Sequence, residues 1–278
     1  MTDRGPADRR PRRFRLRDGT IGESDGNGPP LILLHGVGLD RAMWAAQVDA
    51  FLPRFQVITY DLLGHGQSPP ARSSTTFDDY VDQLVRVVSD IAGDRATILG
   101  FSFGGLIAQG YAAAFPGSVQ KLVLMSTVCD RTPDQRRAVL DRLALARDEG
   151  LAATFAAAVE RWFSINYRRG QPAVIAGLQK RFLANDKDSF LTAYRIFATA
   201  DGALAGRLGQ IACPTLVLTG ELDTGSTPEM ARRIADAIPR AEYSIIPAGR
   251  HMMAVELAPA VNEAIAAFAI ESREYTEE

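Results

Sequence analysis

The sequence predicts an α/β chain: a mainly parallel sheet with helices on both faces and a helical insertion over one end. Three observations carry that expectation. Short continuous apolar runs, the form taken by strands buried on both faces, recur at 31–34, 57–60, 96–99, 122–125, 215–218 and 243–246. Helical patterns lie between them, as parallel strands joined by right-handed crossovers require. From about residue 130 to 207 the apolar runs stop; this stretch, rich in Ala, Arg and Leu, reads as about four helices broken at Gly150, Gly170-Gln171-Pro172 and Asn185-Asp186. The expected division is a disordered tail over 1–13, a core over 14–129 and 208–278, and a helical cap, or lid, over 130–207.

The individual elements follow in order. Arg4, Arg9, Arg10, Arg12, Arg13, Arg15 and Arg17, interleaved with Pro6, Asp8 and Pro11, read as a solvated basic tail. Arg15 to Glu23 form a short hairpin around Asp18-Gly19, and Gly26-Asn27-Gly28-Pro29-Pro30 is a turn into the first buried strand. Asp40 caps a helix that carries Met43, Trp44, Val48, Phe51 and Leu52 on one side. Thr76 opens the clearest amphipathic helix, with Phe77, Tyr80, Val81, Leu84, Val85, Val88 and Ile91 at helical period. A small-residue helix stops before Pro116. Thr227-Pro228 combines a cap with an N1 proline, and a last helix covers about 259–270.

Composition narrows the function classes. A chain of 278 residues that is 46% hydrophobic supplies one sizeable core. A net charge of -2 lacks the basic excess of a nucleic-acid binder. Cys129 and Cys213 are far apart and have no matching histidine spacing, so neither a disulfide framework nor a metal site is expected. No apolar run follows the first arginines, as a signal peptide would need, and no stretch approaches the ~20 apolar residues of a membrane span. The expectation is a soluble cytoplasmic protein with a small-molecule partner and with neither nucleic acid nor membrane. Monomer and homodimer are both compatible with it.

The chemistry concentrates where strands end. Gly100-Phe101-Ser102-Phe103-Gly104-Gly105 follows a strand and opens a helix, the context of a nucleophile elbow that lifts a serine hydroxyl clear of the backbone. Such a hydroxyl needs an adjacent base, and the chain has three histidines. His35 and His65 precede the serine. With the order serine, acid, histidine, only His251 follows both Ser102 and a candidate acid. That acid belongs in the loop Gly220-Glu221-Leu222-Asp223; Asp223 lies further into the loop and has the shorter side chain, with Glu221 as the alternative. His35-Gly36-Val37-Gly38 marks a second loop, whose Val37 N–H, with the Phe103 N–H, is placed to hold an oxyanion. Chemistry of this kind needs no metal and no organic cofactor.

Taken together, Leu33-Leu34-His35-Gly36, Asp61 with Gly64-His65-Gly66-Gln67-Ser68, the Ser102 elbow, Gly220-x-x-Asp223 and His251 resemble the α/β-hydrolase superfamily over about residues 14–272. Leu63 and Arg250 stand where relatives often carry Arg or Pro and Gly. Ser as nucleophile sets the chain apart from the dehalogenase and epoxide-hydrolase branches, which use Asp.

For the substrate, the insertion offers Arg161-Trp162-Phe163, Tyr167-Arg168-Arg169 and Tyr194-Arg195, and Arg250 adjoins His251. Aromatic residues beside arginine suit a small planar anion, so Arg161, Trp162, Arg195 and Arg250 are the candidate substrate contacts. Arginine is also this chain's default cation, 28 against three lysines. The segments 219–230, 249–253 and 161–164 resemble bacterial catabolic hydrolases that open (acylamino)methylene-succinates of pyridine-ring breakdown, and next the 3-oxoadipate enol-lactonases. The first resemblance implies attack of Ser102 on the acyl carbon of an amide such as (E)-2-((N-methylformamido)methylene)succinate, the amine product then falling apart to succinate semialdehyde. General carboxylesterases, hydrolases of C–C ring-cleavage products and cofactor-free haloperoxidases or perhydrolases share the same triad. A non-catalytic small-molecule receptor is the reading from a different class.

Overall fold

The structure, a computed structural model, describes residues 11–270. In chain order it contains β1 (Arg12–Arg15), β2 (Ile21–Asp25), β3 (Pro30–Leu34), α1 (Ala45–Phe51), β4 (Gln56–Tyr60), α2 (Phe77–Val87), β5 (Ala96–Phe101), α3 (Phe103–Ala114) and β6 (Val119–Met125). Helices α4 (Pro133–Asp148), α5 (Gly150–Trp162), α6 (Ile165–Gly170), α7 (Pro172–Leu183), α8 (Lys187–Thr199) and α9 (Asp201–Ala205) follow. The chain then returns through β7 (Thr215–Gly220), α10 (Pro228–Ala237), β8 (Ala241–Ile246), α11 (Met253–Glu256) and α12 (Ala258–Ile270).

The eight strands form one sheet in the order β1-β2-β4-β3-β5-β6-β7-β8. β1 and β2 are antiparallel to their neighbours, and every pairing from β4 to β8 is parallel. The central strands read as unbroken apolar runs because both faces are covered. Ile32, Leu34, Ile58, Ile98 and Leu122 pack on one side with residues of α2, α3 and α10. Leu31, Leu33, Val57, Leu99 and Val123 pack on the other with residues of α1 and α12. Each such fully buried aliphatic side chain contributes about 1.5–3 kcal/mol.

The helix starts follow local chemistry. Asp40 accepts from the Ala42 N–H, Thr76 and Asp79 form a reciprocal capping box, and Thr227 accepts from Met230 behind Pro228. No helix among the described residues is long and apolar enough to cross a membrane.

Two expectations need correction. Arg12 and Arg13, read as tail, pair with Ser24 and Glu23 in the β1–β2 hairpin, and the Arg13 guanidinium donates to Glu23 at 3.0 Å. Backbone pairing and the packing of Phe14 against the core outweigh their charge; the tail over 1–10 lies outside the described residues. The stretch between β6 and β7 holds six helices rather than about four. Its extra breaks, at Phe163-Ser164 and Ala200, carry no glycine or proline to announce them. Its two ends are tied by the buried Arg131–Asp201 ion pair at 2.8 Å.

The register sets the site. Leu34 is level with Gly100, Gly100 with Leu124, Met125 with Leu218, and Gly220 with Ile246. The loops after β3, β5, β7 and β8 therefore emerge along one edge, at the carboxyl ends of the strands. Between β3 and β5 the strand order reverses, and in such sheets a crevice opens there.

Candidate active site

Ser102 sits between β5 and α3 with φ 54° and ψ -111°, a region that costs roughly 1–3 kcal/mol for a non-glycine residue. The surroundings hold it there. Its N–H donates to Met125 at 2.9 Å, its carbonyl accepts from Thr127 Oγ1 at 2.7 Å, and Gly104 donates to the His35 carbonyl at 3.1 Å. A Cβ on Gly100 would collide with the Gly104 carbonyl, and one on Gly104 with the carbonyls of Leu34 and His35. The elbow closes only with hydrogen at both positions.

The loop after β7 brings in Asp223, which is buried. Its Oδ1 accepts from the N–H groups of Gly225 (2.8 Å) and Ser226 (3.0 Å), and its Oδ2 lies 2.7 Å from His251 Nδ1. Glu221, the alternative acid, is exposed and accepts from the Ala248 N–H at 2.8 Å, bracing the loop that leads to His251. The His251 ring packs against Phe101 at 4.9 Å and stacks with Trp162 at 6.4 Å. With Nδ1 committed to Asp223, Nε2 is the nitrogen left for chemistry.

Ser102, Asp223, His251 and Val37 line one cavity of about 70 Å³. The Phe103 N–H heads α3 directly after Ser102. Among the described residues, neither it nor the Val37 N–H is engaged by another protein group. Leu39, Phe101, Trp162, Phe182, Phe190, Tyr194 and Phe197 make the apolar walls, and Arg142 and Arg161 supply the positive charge.

A family model described as the alpha/beta hydrolase fold matches residues 29–256. The chain is an α/β-hydrolase. It is 32% identical to an (E)-2-((N-methylformamido)methylene)succinate hydrolase of Acinetobacter baylyi, over 87% of this chain and 91% of that protein. It is 26% identical to 3-oxoadipate enol-lactonase 2 of the same organism, over 91% and 92%. Among solved structures, the enol-lactonase from Burkholderia xenovorans LB400 superposes with a TM-score of 0.84 at 29% identity, covering 91% of this chain and 97% of that one.

Within this α/β-hydrolase the structure brings Ser102, Asp223, His251, Val37, Arg161 and Trp162 to one cavity and leaves two expected substrate contacts outside it. Arg195 is exposed on α8 and does not line the cavity. On a helix each residue is turned about 100° from the one before, so with Tyr194 and Phe197 facing the cavity, Arg195 faces away. Arg250 precedes His251 in a tight turn in which Met253 N–H donates to the Arg250 carbonyl at 3.0 Å; successive side chains there diverge, and Arg250 also lies outside the cavity.

The residue that sequence reasoning missed is Arg142, on α4. Its Nε donates to the Tyr194 hydroxyl at 3.2 Å. Among 28 arginines nothing singled it out; only the packing of α4 against α8 does. Arg161 donates to the Ala157 carbonyl of its own helix at 3.2 Å. Burial, and then the neighbouring Arg142 charge, push its guanidinium below the ordinary arginine value. Neither arginine meets a carboxylate at ion-pair distance among the described residues.

His35 and His65 serve the loop geometry. Both are buried. His35 Nδ1 donates to the Gly36 carbonyl (2.8 Å) and its Nε2 accepts from Leu62 N–H (2.9 Å); His65 Nδ1 donates to Leu63 (3.0 Å) and its Nε2 accepts from Gly38 N–H (2.9 Å). Each ring is therefore neutral, and together they fasten the Val37 loop to the loop after β4. Burial pushes both pKa values down, His65 to about 3. An unfolded histidine takes up its proton near pH 6.5, so below that pH the unfolded chain binds protons that the folded chain does not. Stability is expected to fall with acid below pH 6.5, by about 1.4 kcal/mol per pH unit for His65, with His35 acting in the same direction. Urea unfolding at pH 7 and pH 5 checks this; a midpoint that stays put refutes it.

Proposed function

We propose that this chain is a serine hydrolase that cleaves an amide or ester-type bond in a small carboxylate-bearing molecule, most specifically an (N-acylamino)methylene-succinate such as (E)-2-((N-methylformamido)methylene)succinate. The observation that carries this reading is the pair Arg142 and Arg161, without carboxylate partners, facing into the same small cavity as Ser102, Asp223 and His251. A part-buried arginine without a carboxylate partner favours an anion and holds carboxylate by two parallel hydrogen bonds.

The residues divide the work as follows. His251 Nε2 takes the Ser102 proton as Oγ attacks the acyl carbon, while Asp223 holds Nδ1–H and stabilises the imidazolium. The tetrahedral oxyanion rests on the N–H groups of Val37 and Phe103, each worth about 3 kcal/mol in comparable sites. Collapse breaks the bond from the acyl carbon to its leaving group, which departs with the proton from His251. Water, giving its proton to His251, then attacks the acyl-Ser102 ester, and the acid and the free hydroxyl are released. Cys129 and Cys213 are free and buried, which suits a reducing compartment such as the cytoplasm.

The enol-lactonase reading is favoured by the likeness to the Burkholderia structure. Two arginines nevertheless match a substrate with two free carboxylates better than a lactone that has closed one of them.

Assaying the purified protein on the formamido-methylene-succinate, the enol-lactone and a neutral aryl ester tests this. The expected order places the dicarboxylate amide first in kcat/KM, by ~10²-fold over the neutral ester, two charge-assisted contacts at ~1.5–3 kcal/mol each being able to supply that. Fastest turnover of the neutral ester refutes an anionic substrate.

A further inference from the structure

Helix α5 stops at Trp162 because Phe163 turns extended (φ -129°, ψ 151°), and Ser164 begins α6 by accepting the Tyr167 N–H on its hydroxyl at 3.1 Å. A helix end leaves carbonyls without intrahelical partners, and the residue that caps the next helix keeps its own N–H outside that helix. Here both leftover groups bond to the segment that carries His251. The Met252 N–H donates to the Trp162 carbonyl at 3.0 Å. The Ser164 N–H donates to the Glu256 carboxylate, 3.0 and 3.3 Å from its two oxygens.

Between these two bonds the Trp162 indole flanks the His251 imidazole, ring centroids 6.4 Å and ring planes 28° apart. Phe163 is buried and stacks on Tyr167 at 5.2 Å and 8°. Burial and the Glu256 charge both raise the Tyr167 hydroxyl, which fits a carboxylate seated against α6. Glu256 itself does not line the substrate cavity.

We propose that Glu256 is a positioning residue for His251: by holding Ser164 it clamps the end of α5 onto the histidine loop, and Trp162, held there beside the imidazole, confines it to its working orientation. The proposal rests on the reading of His251 as the base. It also joins two parts of the site, because Arg161, which faces the substrate, and Trp162, which faces the base, are consecutive residues. A substrate carboxylate held by Arg161 and the ring that activates Ser102 are then referenced to the same helix end. Catalytic groups tolerate little displacement; about 1 Å can cost ~10²-fold in rate.

The test uses Glu256→Ala and Glu256→Gln in the full chain. Trp162 reports on its own once Trp44, the other tryptophan, is changed to Phe, because a protonated imidazole quenches an indole stacked on it. For Glu256→Ala we expect kcat to drop ~10- to 100-fold, KM to change less than ~3-fold, and the acid-dependent quench of Trp162 to disappear. Glu256→Gln, whose amide oxygen still accepts the Ser164 N–H, restores both. A Glu256→Ala protein with normal kcat overturns the proposal. So does one with low kcat and an intact quench, or one that is merely less stable while its folded fraction turns over normally. His251→Asn separates this from the parent reading: turnover that survives it removes the base itself, whereas an inactive His251→Asn beside an unaffected Glu256→Ala removes only the clamp.

Discussion

Ser102→Ala lowers kcat by at least ~10³-fold on every substrate the unaltered chain turns over, with little change in the urea midpoint. The size follows from losing the attacking oxygen while the oxyanion donors and the binding walls stay, which in triad enzymes leaves only a residual rate. The fold persists because the elbow is held by main-chain contacts: Ser102 N–H to Met125, Thr127 Oγ1 to the Ser102 carbonyl, and Gly104 N–H to His35. None of these involves Oγ. Steady-state kinetics beside urea unfolding on the same preparations separates lost chemistry from lost structure. Unchanged turnover refutes the assignment of the nucleophile.

Arg161→Met has the second largest effect, and it depends on the substrate. The side chain is part-buried in the cavity wall and meets no carboxylate among the described residues. Removing its charge costs a dianionic substrate one charge-assisted hydrogen-bonded contact, ~1.5–3 kcal/mol or ~10- to 100-fold in kcat/KM. A neutral ester, which has nothing for the guanidinium to hold, loses no more than a few-fold. Stability holds or rises, because the burial of the charge, first, and the repulsion from Arg142 are relieved and outweigh the lost attraction of Tyr194 and Asp223. Arg142→Met acts in the same direction, and the double variant is expected to be non-additive, since both side chains face one small cavity. The ratio of kcat/KM for the dicarboxylate amide to that for the neutral ester is the deciding measurement. An equal fall on both substrates contradicts the anion-holding role.

The centre of the sheet was legible because its strands there are buried on both faces. Leu31-Ile32-Leu33-Leu34 and Leu122-Val123-Leu124-Met125 could hardly be solvent-facing, and both are strands. The elbow was legible for a steric reason, since Gly100 and Gly104 are glycines where any Cβ would meet a carbonyl. Thr76 and Thr227 marked helix starts through capping chemistry that acts within four residues.

What the sequence hid depends on distance. Helices α6 and α9 begin after Phe163 and Ala200, at breaks set by packing rather than by glycine or proline. Arg142 reaches the cavity and Arg195 does not because of how α4, α5 and α8 are rotated against one another, and that rotation is fixed by contacts far apart in the chain. Asp223 and Glu221 stand two residues apart. The one that meets His251 is decided by how the loop closes on Gly225 and Ser226.

Catalysis by this chain requires an activated Ser102, and labelling with a fluorophosphonate reads that activation directly. Intact-protein mass followed by peptide mapping is expected to find one adduct, on the peptide that contains Ser102, forming rapidly in the unaltered chain and at least ~10²-fold more slowly in His251→Asn. An adduct on another residue, no adduct at all, or labelling of Ser102 that His251→Asn leaves at full speed would contradict it.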